Sequence, residues 1–256
     1  MSGNLHSVDG RTALSDTFRA AVPGNPLASH TVGALDGIAI RIRGPSVTET
    51  SKPAEFFGRK GFFSLNVQAV CDGHCRFIYA NTAAPGSMHD SAAWCQSRLA
   101  KQLESGALNM LLHFLIGGDA SAVSDSLLAP WPGQVLPVEK DAFNFYLSQL
   151  RQTIERACRI LHARWGVLWR PIQLSLRTSG PPVGALMKLH NYIIESPHED
   201  ATLAQAADDV SDWVPGTEQR QGGPGVFTTR DHTTSKRRVE LTCMIDNAGL
   251  RPQSSK

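Results

Sequence analysis

The chain has 256 residues, of which 41% are hydrophobic and 19% are charged, and its formal net charge is +2. This composition is typical of a globular protein and excludes wholesale disorder, and the length suits one large α/β domain. No apolar run approaches the ~18 residues of a membrane span, and five cysteines are too few for a disulfide scaffold, which favours a soluble protein in a reducing, intracellular compartment.

The first predicted elements are a short helix and a long strand. A helix over Ser15–Val22 precedes the turn cluster Pro23–Pro26, so residues 1–30 form a lead-in to the strongly patterned region. The first strand is predicted over Val32–Ile42, where apolar residues recur at close intervals.

A β-hairpin is predicted next. Apolar and polar residues alternate over Phe63–Cys71, which is typical of a strand with one buried face. The dipeptide Asp72-Gly73 is a turn signal because both residues tolerate positive φ, and the return strand is predicted over Cys75–Asn81.

Two helices and a further strand follow the hairpin. The pattern predicts a helix beginning near Asp90, a buried strand over Leu111–Ile116, and a long helix over Asp141–Trp165. Glu155 lies at the rim of the apolar stripe of this long helix. Residues 196–230 are rich in Asp, Gln, Gly, Pro and Thr and are predicted to be a loose linker.

Three acidic residues stand on separate predicted elements. Asp36 lies on the first strand, Asp119 follows the Gly117-Gly118 pair at the end of a later strand, and Glu155 lies on the long helix. A mixed α/β sheet would bring strand and helix acids together. Carboxylates that share a site repel each other unless a cation neutralises them, and a hard cation such as Mg²⁺ prefers oxygen ligands. The arrangement therefore suits metal-dependent phosphodiester cleavage.

A series of short motifs carries a family resemblance through its order and number. The matching stretches are Gly33–Gly37, Arg59–Val70, Pro85–Ser91, Gly117–Asp119, Phe143–Asn144, Arg151–Ala157, Arg164–Gly166 and Leu189–Tyr192. Over about residues 32–195 the chain resembles the DDE superfamily endonucleases of the Harbinger transposase type.

This resemblance implies a ribonuclease-H-like fold, a mixed sheet flanked by helices, with an Asp-Asp-Glu triad that binds Mg²⁺ or Mn²⁺. By motif, the triad falls on Asp36, Asp119 and Glu155. The His89-Asp90 dipeptide also matches a family motif, which makes Asp90 a candidate fourth metal ligand; the alternative role for Asp90 is a helix N-cap.

Glu155 also has an alternative interpretation. Arg151 and Arg159 stand four residues before and after it, so an i,i+4 ion-pair ladder on the helix surface is open as well. The motif favours the catalytic role.

The chain departs from the family pattern in two ways. Family members usually carry a Tyr shortly after the second Asp, whereas the run here is Gly118–Asp125 without one, and Asp125 is a decoy for the second acid in an alignment. The residues before Asp36 are also too few for the upstream helical DNA-binding region of family transposases. We therefore expect a truncated copy, a gene-model fragment or a host-retained relic.

Basic residues flank the acids, as a phosphate backbone that approaches carboxylates requires. The alternative is a solvated helix face. The run Lys236-Arg237-Arg238 is a candidate for nuclear import or nucleic-acid binding, although such short runs often arise by chance. The other basic positions are Arg41, Arg43, Lys52, Arg59, Lys60, Arg151, Arg156, Arg159, Arg164 and Arg170.

Cysteines and histidines offer weaker signals. Cys71, His74 and Cys75 resemble part of a zinc site, but the predicted hairpin explains their proximity better, since no second Cys/His pair follows at suitable spacing. Cys95 and Cys158 are predicted to be buried small hydrophobic residues.

For two further residues, His190 and Trp131, the sequence mainly predicts structural roles. His190, with Asn191 beside it, is predicted to serve packing or hydrogen bonding near the core. Trp131, between two prolines, either stacks on a base or covers apolar surface, and the cover is favoured.

The function predicted is that of a metal-dependent DNA endonuclease or transposase catalytic domain over residues 31–195, followed by a flexible linker and basic tail over 196–256. DNA is the predicted partner, a separate DNA-binding protein is a candidate second partner, and the nucleus is the favoured location in a eukaryote. The alternative is a catalytically silent domesticated relic that binds DNA or protein through the old scaffold.

Overall fold

The computed structural model describes residues 5–118, 121, 123–196 and 235–251. Five strands form one mixed sheet in the order β3-β2-β1-β4-β5. The strands are β1 (Thr31–Arg41), β2 (Ser64–Cys71), β3 (Phe77–Pro85), β4 (Phe114–Ile116) and β5 (Leu127–Leu128).

Six α-helices and three short 3₁₀ segments accompany the sheet in the described part of the chain. The mixed α/β class is therefore confirmed. The helices are α1 (Val8–Ala21), α2 (Asp90–Cys95), α3 (Arg98–Glu104), α4 (Val138–Arg164), α5 (Leu176–Ile194) and α6 (Lys236–Asn247), and the 3₁₀ segments are Ala28–His30, Pro53–Phe56 and Gly166–Trp169.

Strand β1 is the centre of the sheet. It pairs antiparallel with β2, where Asp36 lies opposite Ala69, and parallel with β4, where Ala34 lies opposite Ile116. Its alternate residues point to opposite faces, so Leu35 joins one apolar core while Ile38 joins the other. Asp36 thus lies in the middle of the fold.

Helix α4 closes one face of the sheet through the predicted apolar stripe. Phe143, Leu147, Leu150, Ile154 and Leu161 are all at most 1% exposed and belong to a single core cluster with the strands. The predicted helix over 141–165 is confirmed, apart from an earlier start at Val138. Because Glu155 follows the buried Ile154, it lies at the rim of this packed face.

Strand β2 differs from its prediction in burial. The alternation predicted one wet face, but every residue of β2 is buried. Ser64, Asn66 and Gln68 supply the polar side. Asn66 and Gln68 remain inside because protein groups replace water as their hydrogen-bond partners. An alternating pattern therefore distinguishes the two faces of a strand, but it does not predict whether the polar face contacts solvent or protein.

The hairpin turn is present with different backbone chemistry. The return strand begins at Phe77 rather than Cys75, and the residue in the left-handed region is Cys75, at φ 63°. Gly73 is required for another reason, since a Cβ there would overlap the backbone of Thr17 in α1. The Thr17 hydroxyl accepts a hydrogen bond from the Gly73 N–H at 2.8 Å.

Several boundaries and one burial prediction were wrong. The first helix starts at Val8, well before Ser15, and the strand predicted from Leu111 is only β4, because Leu111 and Leu112 are 75% and 70% exposed. Cys95 is exposed rather than buried, whereas Cys158 is buried as predicted. The predicted linker over 196–230 lies outside the described residues beyond Ser196.

The C-terminal region, expected to be a flexible basic tail, contains helix α6. Its Ile245 is fully buried in the main core cluster, and Arg238 is only 3% exposed. No helix in the described ranges is long and apolar enough to cross a membrane.

Asn191, in the last family motif, fixes strand β3 to helix α5. Its Oδ1 accepts from the Phe77 N–H and its Nδ2 donates to the Phe77 carbonyl, both at 2.8 Å. The predicted structural role for this motif is confirmed, since the neighbouring His190 is fully buried and bonds the Cys75 carbonyl through Nε2 at 3.0 Å.

Replacing Asn191 by Ala is expected to destabilise the protein by about 2–4 kcal/mol, because it leaves two buried backbone groups of Phe77 without partners. Urea unfolding measures this change. Tyr192→Ala is the matched control, since Tyr192 is 75% exposed and its loss should change the unfolding free energy by no more than about 0.5 kcal/mol. Equal effects of the two substitutions would contradict the role given to Asn191.

Candidate active site

Asp36 is a carboxylate held in a protein-rich environment at the centre of the sheet. Burial raises its pKa, and the nearby carboxylates of Asp90 and Glu155 raise it further. The Arg151 guanidinium and the Gly37 N–H act in the opposite direction, but the net effect is a raised pKa. A positively charged partner would therefore stabilise the ionised form of Asp36.

Glu155 approaches this position from α4. Its Oε1 lies 2.7 Å from Arg151 Nη2, and both side chains are about one-quarter to one-third exposed (26% and 30%). The Arg151 half of the predicted ion-pair ladder is thus present, whereas Arg159 makes no ion pair with Glu155 among the residues described. The pairing is compatible with a metal-binding role, since the same carboxylate also acts on Asp36.

Asp90 reaches β1 from the other side of the sheet. The N-cap position of α2 belongs to His89, and Asp90 is the first helical residue, so the N-cap interpretation of Asp90 was wrong. A Cβ at Gly37 would overlap Asp90 Oδ1 and would lie 2.8 Å from Gln68 Nε2. The missing side chain of Gly37 is what allows the Asp90 carboxylate to lie beside the backbone that carries Asp36.

Two polar residues of β2 hold Asp90 in place, and sequence reasoning missed both. Asn66 Nδ2 donates to Asp90 Oδ1 at 2.8 Å and to the Met88 carbonyl at 2.8 Å, and Gln68 Nε2 donates to Asn66 Oδ1 at 2.7 Å. A longer contact of 3.4 Å joins Gln68 Nε2 to Asp90 Oδ1. The available signal was their place on the polar side of a strand inside a family motif.

The second predicted acid, Asp119, lies outside the described residues. The described residues before it are informative. Extending the parallel register of Ala34 with Ile116 by two residues on each strand brings Gly118 level with Asp36. A Cβ at Gly118 would lie 3.3 Å from Arg151 Nη1, so the guanidinium that pairs with Glu155 also lies beside Gly118, the residue before Asp119.

The donor set has the chemistry that a hard divalent cation needs. Asp36, Asp90 and Glu155 contribute only carboxylate oxygens, and both Asp90 and Glu155 act electrostatically on Asp36. Within the described ranges, no three His, Cys, Asp or Glu residues are placed closely enough to hold a metal ion by themselves. Asp119 lies outside these ranges.

The basic residues predicted to meet DNA divide into two groups. Arg43 and Lys52 form ion pairs with Glu49 and Glu55. Arg59 instead lies beside the site, where its Nη2 is 3.2 Å from Nδ1 of the exposed His89. Arg59 therefore lies against the residue that immediately precedes Asp90.

The other chemically reactive candidates have structural roles. Cys71 is fully buried, Cys75 Sγ donates to the Thr153 carbonyl at 3.6 Å, and His74 is exposed on the turn. Trp131 acts as a cover, because Lys140 and Arg238 both lie against its ring.

The comparison with families of known proteins identifies the class of this chain. The profile of the DDE superfamily endonuclease family matches residues 35–191, and the chain belongs to this family. The matched segment includes Asp36, Asp119 and Glu155, the three acids predicted by motif.

Named relatives place the chain with Harbinger-type, transposase-derived nucleases. It is 30% identical over 188 residues to the Rattus norvegicus protein "Putative nuclease HARBI1", covering 72% of this chain and 50% of that protein. It is 30% identical over 186 residues to the Arabidopsis thaliana "Protein ALP1-like", with 67% and 44% covered, and 28% identical over 194 residues to the Xenopus laevis HARBI1 protein, with 71% and 50% covered. The chain thus spans about half the length of these curated relatives. No solved structure matches it significantly.

Replacing Arg151 by Met is expected to destabilise the metal-free protein by about 1 kcal/mol at pH 8 and by less at pH 4. Without the guanidinium, the pKa of Asp36 in the folded state rises further above its unfolded value. Between these two pKa values the folded state binds more protons than the unfolded state, so the stability of the variant falls as pH increases through this range. Thermal unfolding in EDTA at the two pH values measures the effect. Arg159→Met, about two turns further along α4, is the control, and equal losses for both variants would contradict the role of Arg151.

Proposed function

We propose that residues 31–195 form the catalytic domain of a metal-dependent DNA endonuclease or transposase. Asp36, Asp119 and Glu155 would hold Mg²⁺ or Mn²⁺, and Asp90 would add a fourth carboxylate. The observation that carries this proposal is the match of residues 35–191 to the DDE superfamily endonuclease family. It is supported by Asp90 and Glu155, from two different helices, whose carboxylates both raise the pKa of Asp36 on the central strand, after the larger effect of its desolvation. DNA is the proposed substrate, with a separate DNA-binding protein as candidate partner and the nucleus as the proposed location.

The chain's own groups divide the work between holding and orienting the acids. Asn66 fixes the Asp90 carboxylate through a hydrogen bond to Oδ1, and Gln68 in turn fixes Asn66. Arg151 holds Glu155 by an ion pair. A bound divalent ion would supply charge stabilisation for the attacking and leaving oxygens of a phosphodiester.

A ribonuclease-H-like fold is part of the same proposal. It is supported by a mixed sheet in which three antiparallel strands continue into two parallel ones, with an apolar core on each face. The central strand carries the first acid, and a parallel neighbour leads into the second.

The experiment is nicking of supercoiled plasmid by the purified full chain with Mn²⁺, with Asp119→Asn as the matched variant. Cleavage that needs both the metal and Asp119 supports the nuclease and makes Asp125 a bystander. Asp125 already has another role, because its Oδ1 accepts from Ser235 Oγ at 2.7 Å. No cleavage, together with no stabilisation by Mn²⁺ in thermal unfolding, would replace the proposal with a catalytically silent scaffold.

A further inference from the structure

The start of helix α6 binds the chain on both sides of strand β4. The Arg237 guanidinium donates through Nη1 to the carbonyls of Met110, His113 and Asp125, at 2.8, 2.7 and 2.9 Å, and through Nη2 to the Leu111 carbonyl at 2.5 Å. Three of these carbonyls precede β4, and the fourth follows it by nine residues. One side chain therefore joins the two ends of the segment 110–125.

The side chain of Asp125 completes the junction from the other direction. Its Oδ1 accepts from Ser235 Oγ at 2.7 Å and from the Arg237 N–H at 3.3 Å. Ser235 is the N-cap of α6 and accepts from the Arg238 N–H at 3.2 Å. These hydrogen bonds lower the pKa of Asp125, and the one from Ser235 has the largest effect. The carboxylate is therefore held in its charged form at the positive end of the helix.

Helix α6 is itself anchored to the body of the domain. Arg238 lies over the Trp131 ring at 3.8 Å, and Trp131 Nε1 donates to Thr242 Oγ1 at 3.0 Å. Ile245 is fully buried in the core cluster that contains Leu147 and the rest of the α4 stripe. Arg237 is thus attached to a fixed support rather than to a solvated tail.

The segment that Arg237 joins contains the second predicted acid. In sequence, Asp119 lies between the bound carbonyls of His113 and Asp125, and β4 pairs directly with the strand that carries Asp36. Helix α6 itself lies beyond residues 35–191, the part of the chain that the family profile matches.

We propose that α6 acts as a clamp and that Arg237 is a positioning residue for the second acid. By joining both ends of segment 110–125, Arg237 fixes where β4 ends and hence where the chain enters the metal site. The inference rests on the metal site proposed above. The run Lys236-Arg237-Arg238 then has a mainly structural role. The Arg237 guanidinium donates to backbone carbonyls, Arg238 is buried, and Lys236 is the one member of the run that is exposed.

The test compares Arg237→Gln with Arg251→Ala in the full chain. Arg251 lies just beyond the same helix and pairs with Asp246 at 2.6 Å, without touching segment 110–125. The clamp predicts that Arg237→Gln weakens Mn²⁺ binding, measured by calorimetry, by about 10-fold or more, the usual effect of losing a group that orients a metal ligand. Arg251→Ala should leave Mn²⁺ binding unchanged, and Arg237→Lys should fall between the two.

Two further measurements separate positioning from general destabilisation. Amide hydrogen exchange at Leu115 and Gly117, which bond to Ser126 and Leu128, should accelerate in Arg237→Gln and not in Arg251→Ala. Asn191→Ala serves as a variant destabilised elsewhere, and it should retain wild-type Mn²⁺ affinity in the folded protein.

The outcomes are distinct. Unchanged exchange in Arg237→Gln overturns the clamp. Faster exchange with unchanged Mn²⁺ affinity overturns the positioning role, because Arg237 would then be structural only. If the wild-type chain binds no Mn²⁺, the proposed metal site and the positioning role fall together, while the exchange data still show whether α6 clamps β4.

Discussion

Replacing Asp36 by Asn is expected to lower the rate of Mn²⁺-dependent plasmid nicking by about 10³-fold or more, the loss that about 4 kcal/mol of transition-state stabilisation corresponds to. Asn keeps the size of the side chain but removes the charge that, under the proposed function, would balance a bound cation at the central strand. The measurement is the initial rate of nicking under single-turnover conditions. Asp16→Asn is a suitable control, because Asp16 is an exposed acid on α1 that pairs only with Arg19 among the described residues.

The same substitution should stabilise the metal-free protein. The pKa of Asp36 is raised in the folded state, chiefly by burial, so ionising this group disfavours folding. Between the unfolded and folded pKa values the native state binds more protons than the unfolded state, and stability therefore falls as pH rises through that window. In EDTA, Asp36→Asn should have the higher melting temperature at pH 8, and its advantage should disappear near pH 3.

These two results together distinguish a metal ligand from a structural carboxylate. A structural role would make Asp36→Asn less stable at pH 8, and any loss of nicking would then follow from unfolding. A metal ligand gives an inactive variant that is at least as stable as the parent and gains nothing from added Mn²⁺. Retained nicking by a stable Asp36→Asn protein would remove Asp36 from the site.

The sequence was sufficient for the elements whose pattern has one physical explanation. In α4, apolar residues at steps of three and four can only form a helix that buries that stripe, and the observed burial of Phe143 through Leu161 follows. The long strand β1 was equally clear. Asp36 and Glu155 were predicted by motif as site residues, and this assignment stays a prediction; in the folded chain the Glu155 carboxylate contributes to the raised pKa of Asp36.

The sequence was insufficient where polar residues find protein partners instead of water. Asn66 and Gln68 belong to an alternating strand, and the alternation cannot tell a solvated face from one that binds Asp90. The run Lys236–Arg238 poses the same difficulty at the C-terminus, since its bonds go to residues more than 100 positions earlier. Such partners depend on long-range contacts, which local pattern and propensity do not contain.

Replacing Gly37 by Ala is expected to have the second largest effect on the site. A Cβ there would overlap Asp90 Oδ1 and would stand 2.7 Å from its Cγ, so the carboxylate must move away from β1. Because Asn66 and Gln68 hold that carboxylate from β2, their hydrogen bonds would be lost with it. We expect Mn²⁺ affinity to fall about 10- to 100-fold, as when a supported metal ligand loses its orientation.

Gly184→Ala is the control for the substitution itself. A Cβ at Gly184 meets no atom within 4 Å, and the residue lies inside α5, so Ala there should stabilise the helix by about 1 kcal/mol. The Mn²⁺ affinity of Gly184→Ala, measured by calorimetric titration, should equal that of the parent protein. A Gly37→Ala protein that also binds Mn²⁺ normally would contradict the close approach of Asp90.

A double-mutant cycle with Asp90→Ala tests the physical cause. If Gly37→Ala acts by displacing the Asp90 carboxylate, removing that carboxylate also removes the overlap, and the double variant should recover most of the stability lost in Gly37→Ala. Its Mn²⁺ affinity should nevertheless be no higher than that of Asp90→Ala alone, because the ligand is gone in both. Additive effects on stability would instead indicate that the new Cβ is strained against Gln68 Nε2, the other group that it meets. The glycine after the first acid is thus expected to serve the site by making room for a carboxylate that arrives from the opposite face of the sheet.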